Sequence, residues 1–175
     1  MARFLVGGLL LAMGLSAQDK KSPAKAEHYD FHPLMQQIWD AWGTLDPAKA
    51  ARFYSKEAGR TFFDVAPLKY TGWGEYAAGV VKTFADYSSA KFTLTGTSHV
   101  AQRPNMAWAT ATGHGSFTKK AGGKDELDFR WTVIWEKEGD DWLIIHEHVS
   151  VPMGAQAAKP AAPANAPKAA TAPKK

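Results

Sequence analysis

"FRWTVIWEKEGDDWLIIHEHVS", residues 129–150, holds two runs of alternating side chains on either side of Gly139-Asp140. Alternation puts successive side chains on opposite faces of a strand, and a two-residue turn containing Gly joins antiparallel neighbours. In the first run Phe129, Trp131, Val133 and Trp135 oppose Arg130, Thr132, Ile134 and Glu136. The first set is expected to face the core. In the second run, unbroken alternation sets Leu143, Ile145, Glu147, Val149 and Val151 against Trp142, Ile144, His146, His148 and Ser150. Glu147 is then the one charged member of the core face, and both histidines fall on the outer face.

Two further strands precede this hairpin. "SAKFTLTGTSHVAQ" (89–102) ends at Arg103-Pro104-Asn105, and "MAWATATGHGSFTK" (106–119) ends at Ala121-Gly122-Gly123. In the latter, Ala107, Ala109, Ala111, Gly113 and Gly115 share one face. Small side chains turned inward are expected to leave an open cavity over that part of the sheet. Upstream the period becomes helical. Phe31, Leu34, Met35, Ile38, Trp39 and Trp42 form one stripe ended by Gly43. Asp46-Pro47 supplies an N-cap and a first-turn proline for "AKAARFYSKEA" (48–58). A short strand, "RTFFDV" (60–65), precedes a third helix in which Trp73, Tyr76, Ala77, Val80, Val81 and Phe84 repeat. The expected class is α+β: three N-terminal helices packed on a strongly curved antiparallel sheet that forms a conical cavity.

The ends of the 175-residue chain differ from this core. Residues 1–17 carry an early Arg3, an apolar run through Leu15, then Ser16 and Ala17, the pattern of a secretory signal peptide. The protein is therefore expected to be exported, periplasmic or secreted, with no transmembrane segment in the mature chain. Residues 18–28 read as a linker and 29–153 as the folded domain. Residues 154–175, rich in Ala, Pro and Lys, read as a disordered tail. The chain has no cysteine, so an exported domain would be held by packing alone. Formal net charge is +4, but the first 25 residues and the tail hold eight of the 21 Lys and Arg and only one of the 17 acids. Residues 26–153 are thus mildly acidic, which argues against nucleic acid as a partner.

Helices, strand and helix followed by a curved meander ending in W-x-I-x-H-x-H-x-S (Trp142 to Ser150) resemble the SnoaL-like family of the nuclear transport factor 2-like superfamily. "FFDVAPLKYTGWGEY" (62–76) resembles the segment that closes the cavity mouth in those proteins. The resemblance implies a small-molecule cavity. Trp142, Ile144 and Ile134 share one end of the outer face, and this apolar group beside polar residues is expected to form a homodimer through the sheet. The resemblance leaves open an isomerase- or dehydratase-type enzyme using a cavity carboxylate for proton transfer, and a non-catalytic assembly domain. The chain is also similar to the association domain of calcium/calmodulin-dependent kinase, but Gly113, Val133 and Val149 stand where that domain carries cavity arginines.

Glu147 is the sharpest site candidate. A carboxylate on an apolar face has its pKa raised unless a cation pairs with it, which suits acid–base work; otherwise it is a buried group bonded to backbone donors or a tyrosine. Asp64, after Phe62-Phe63, either contacts ligand at the cavity mouth or caps the turn before Pro67. Trp39, Tyr54, Tyr70, Trp73 and Trp131 are candidate ligand contacts, as flat walls and hydroxyls, or ordinary core. Arg130, Thr132, His146, His148 and Ser150 read as a hydrogen-bonded network on the outer face. His146 and His148 lack a clear third ligand and face Arg130, so no metal and no other cofactor is expected. His99 and His114 are unplaced.

Overall fold

The computed structural model describes residues 28–154. The segments read as signal peptide, most of the linker and nearly all of the tail lie outside the described residues. The elements run α1 (Phe31–Gly43), α2 (Pro47–Ala50) with a 3₁₀ turn at Ala51–Phe53, β1 (Thr61–Phe63), β2 (Tyr70–Thr71), α3 (Gly72–Thr83), β3 (Tyr87–Gln102), β4 (Met106–Lys119), β5 (Lys124–Glu138) and β6 (Asp141–Ser150). The strands form one sheet in the order β2-β1-β6-β5-β4-β3. All neighbours are antiparallel except β1, which runs parallel to β6. The α+β class expected from the sequence is the class observed, with the sheet mixed at one edge.

The first two helices start at side-chain caps. Asp30 and Asp46 are N-caps whose carboxylates accept from His32 N–H and Ala48 N–H. The apolar stripe of α1 is buried on the sheet: Phe31 packs on Trp135 and Trp142, and Trp39 on Phe92, Phe129 and Trp131. Gln36 of α1 also donates to Phe92 O and accepts from Leu94 N–H, which ties the helix to the edge strand β3. The second helix is shorter than its pattern predicts. After Phe53 the chain turns extended, Ser55 N–H donates to Ile144 O, and Lys56 Nζ caps the carbonyls of Ala51 and Tyr54. This bridge to β6 competes with further helix and turns Tyr54 into the core, where it is 1% exposed.

Unbroken alternation fails in β6. Ile134 pairs with His146 but Trp135 pairs with Ile144, so Ile145 is an extra residue in a β-bulge. One inserted residue inverts the face of everything before it. Trp142 and Ile144, expected outside, are therefore buried, Trp142 against Phe31 of α1, while Leu143 and Ile145, expected inside, are only half-buried. Val151, also expected inside, lies beyond the strand and is exposed. Beyond the bulge the expected parity holds: Glu147 and Val149 face the core, and His146 and His148 do not. On α3, Val81 is exposed rather than part of the buried stripe.

The small face of β4 points inward as expected, but the space above it is largely filled. A Cβ on Gly113 would lie 2.2 Å from Phe129 Cζ, and one on Gly115 would meet the rings of Phe117 and Phe92. Neighbouring aromatic rings have moved into the room the glycines leave. What remains is a cavity of about 60 Å³ between α1, α3 and the sheet.

Candidate functional site

Glu147 sits on β6 between Val133 of β5 and Phe62 of β1 and is 1% exposed. Three side chains from three other segments converge on it. Tyr54, following the 3₁₀ turn, and Tyr76, on α3, each donate a hydroxyl to Oε1 at 2.7 Å. Trp131 of β5 donates its indole N–H to Oε2 at 2.8 Å. Trp42 of α1 in turn donates to the Tyr54 hydroxyl at 2.8 Å, which fixes the direction of that hydroxyl toward Glu147. The arrangement is a buried carboxyl group held by three donors and no cation.

Burial raises the pKa of Glu147 to about 7; the bonds from Tyr76, Tyr54 and Trp131 oppose the rise, and the nearby charge of Asp64 adds to it. Burial and the Glu147 charge push both Tyr54 and Tyr76 well above the ordinary phenol range, so they remain donors. Asp64 lies partly buried after β1, its pKa raised by burial and held back by the Val65 N–H bond to Oδ1 at 2.7 Å. Asp64 thus makes a turn bond and also stands on the wall of the cavity.

That wall is mostly aromatic. Trp39, Trp42, Tyr76, Phe84, Phe92, Phe117 and Phe129 line it, with Val80, Leu127 and Val149 between them. Tyr76 is the link between the two parts of the site, since its ring faces the cavity and its hydroxyl bonds Glu147, which is not itself on the wall. The indole N–H of Trp39 is buried without an acceptor.

The candidate contacts separate accordingly. Trp39 and Asp64 line the cavity. Tyr54 and Trp131 lie behind it as donors to Glu147. Tyr70 donates to Ala66 O and its ring fills the space beside Gly79, while Trp73 packs on Trp42 and Tyr54 beneath Lys56 Nζ at 4.0 Å; neither reaches the cavity. The residues that periodicity did not single out are Tyr76 and Trp42, read as helical stripe. Their signal was available in kind: a buried carboxyl needs donors, and Tyr and Trp are the aromatic residues that bring them.

On the outer face, Arg130 pairs with Ser150 and Thr132 with His148 in the strand register. The side chains stand as neighbours, and the hydrogen bond made by a histidine there is His146 Nδ1 with Thr61 O at 2.7 Å, a contact created by the parallel pairing of β1. Phe63 packs edge-on against both His146 and His148. Of the histidines left unplaced by sequence, His114 pairs with Asp128 at 2.8 Å. Among the described residues, no three His, Cys, Asp or Glu side chains are grouped so as to hold a metal ion, and no helix is long and apolar enough to cross a membrane.

Comparison with solved structures gives the same architecture at low sequence identity. A nuclear transport factor 2-like superfamily protein from Salmonella enterica superposes with a TM-score of 0.62 at 18% identity, over 75% of this chain and 92% of that one. A protein with a cystatin-like fold from Caulobacter vibrioides gives 0.57 at 18%, over 70% and 87%. A structure from Novosphingobium aromaticivorans, whose name proposes it as a scytalone dehydratase, gives 0.63 at 9%, over 79% and 93%. Among curated proteins none matches the sequence. Residues 33–154 match the family described as SnoaL-like domain. The chain belongs to the SnoaL-like family and has the fold of nuclear transport factor 2-like proteins.

Proposed function

We propose that this is an exported SnoaL-like domain that binds a small, mostly hydrophobic molecule in the cavity beneath α1 and α3. The observation that carries the reading is the aromatic wall around about 60 Å³ of space, with Asp64 at its edge and Glu147 behind Tyr76. Apolar walls with a few placed polar groups are the usual composition of a ligand site. Trp39, Tyr76 and Asp64 are the direct contacts, while Tyr54, Trp131 and Trp42 hold Glu147 in place. A thermal-shift screen of ketones, phenolics, carboxylic acids and amines tests it. Stabilisation by members of one chemical class, lost when Val80→Trp fills the cavity, is the expected result; a broad screen with no stabilisation refutes the reading.

A second reading, an enzyme of isomerase or dehydratase type, is favoured by one feature of Glu147. With a pKa of about 7 it is poised to take or give a proton near neutral pH, and Tyr76 connects it to the cavity. Glu147→Gln separates the two. Loss of turnover with ligand binding retained supports the enzyme; unchanged binding with no turnover in either form supports the binder.

Export rests on the pattern of residues 1–17, and N-terminal sequencing of protein recovered outside the cytoplasm tests it. A homodimer through the outer sheet face is part of the same proposal, with Ile134, Leu143 and Ile145 as its half-buried apolar residues in place of Trp142 and Ile144. Light scattering that gives a monomer at high micromolar concentration overturns it. An assembly domain with an idle cavity is the outcome if a dimer forms and nothing binds.

A further inference from the structure

Neither acid of this site has a counter-ion among the described residues, unlike several acids elsewhere in the fold. Glu136 pairs with Arg60 at 2.8 Å, Asp125 with Lys119 at 2.7 Å, and Asp128 with His114. No salt bridge among the described residues reaches Asp64 or Glu147. Lys56, on the far side of Tyr54, is committed to two backbone carbonyls and the face of Trp73. Among the described residues, no Lys, Arg or His lines the cavity. One carboxylate oxygen of Asp64 accepts from Val65 N–H, and the other has no protein partner among the described residues. Around this uncompensated negative charge stand aromatic rings, whose faces are themselves electron-rich and attract cations. An anionic ligand would add like charge beside Asp64, and a neutral one would leave its second oxygen without an ionic partner.

We propose that the ligand of this cavity is a small organic cation, an alkylammonium whose hydrocarbon part lies among the aromatic rings and whose ammonium group sits against the free oxygen of Asp64. The proposal rests on the ligand-binding reading above and narrows it to one class.

Butylammonium and 1-butanol have the same number of non-hydrogen atoms and differ in charge, and titrating each into the purified full-length protein at pH 8 isolates the charge effect. The expected result is at least tenfold tighter binding of butylammonium. Asp64→Asn keeps the turn bond to Val65 while removing the charge, and it is expected to abolish that preference. Equal binding of the two probes by the native protein overturns the cation proposal and leaves the cavity reading standing. If neither probe binds and p-cresol also fails, both fall. Should Asp64→Asn fold poorly, as judged by its melting curve, the native protein's preference decides alone.

Discussion

Glu147→Gln offers a quantitative test of the buried acid, because the effect on stability has a definite sign. In the folded protein Glu147 titrates at about 7, against an ordinary value of 4.5. Between these values the folded state holds a proton that the unfolded state has released, so stability falls as pH rises through that window. The difference of about 2.5 units corresponds to roughly 3 kcal/mol at about 1.4 kcal/mol per unit, fully lost only above pH 7. For a domain of this size that is roughly 10 °C in melting temperature. Glutamine cannot ionise, so its curve lacks this fall. It does present an amide N–H₂ where one of Tyr54, Tyr76 or Trp131 needs an acceptor, a cost of about 1–3 kcal/mol that is the same at every pH. Urea unfolding followed by tryptophan fluorescence from pH 5 to 9 is the assay. The variant should be the less stable protein at pH 5, with the gap closing or reversing by pH 9. A constant gap across that range refutes the argument, since it would mean that Glu147 titrates alike in both states.

Three further outcomes follow from the same geometry. Tyr76→Phe removes one donor from Glu147 Oε1 and a hydroxyl from the cavity edge; it should cost about 1–3 kcal/mol at neutral pH and move the fall in stability to higher pH, read by the same unfolding series. Gly113→Ala drives a methyl into the Phe129 ring and should cost about 1–3 kcal/mol, with reduced ligand stabilisation if the ring is displaced into the cavity; calorimetric melting with and without ligand measures both. Asp64→Asn removes the charge that adds to burial at Glu147, so the midpoint of the Glu147 titration should move down, and a midpoint that rises or stays fixed contradicts the coupling.

Much of this site was legible in the sequence because its decisive residue lies where alternation is intact. From His146 onward β6 follows strict parity, and Val133 and Phe62 flank Glu147 with apolar neighbours, so an inward carboxyl could be read directly. The bulge could not. "WLIIH" contains no Gly or Pro, and both parities of Trp142 to Ile145 are apolar, so nothing local distinguishes one face from the other. That ambiguity misplaced Trp142 and Ile144 and, with them, the apolar surface assigned to pairing. The parallel pairing of β1 depends on contacts more than eighty residues apart, which periodicity does not encode, and it is what gives His146 its backbone partner. The cavity was overestimated for a related reason: glycines on a strand face mark room, but which ring moves into it is decided by packing.

The acid at position 147 is enclosed by Tyr54, Tyr76 and Trp131 and has no cation beside it among the described residues. Carbon-13 NMR of the side-chain carboxyls in protein labelled at glutamate, with Glu147→Gln to assign the resonance, titrates that group directly. A midpoint near 7 is the predicted result, and a midpoint at or below 4.5 would contradict the account.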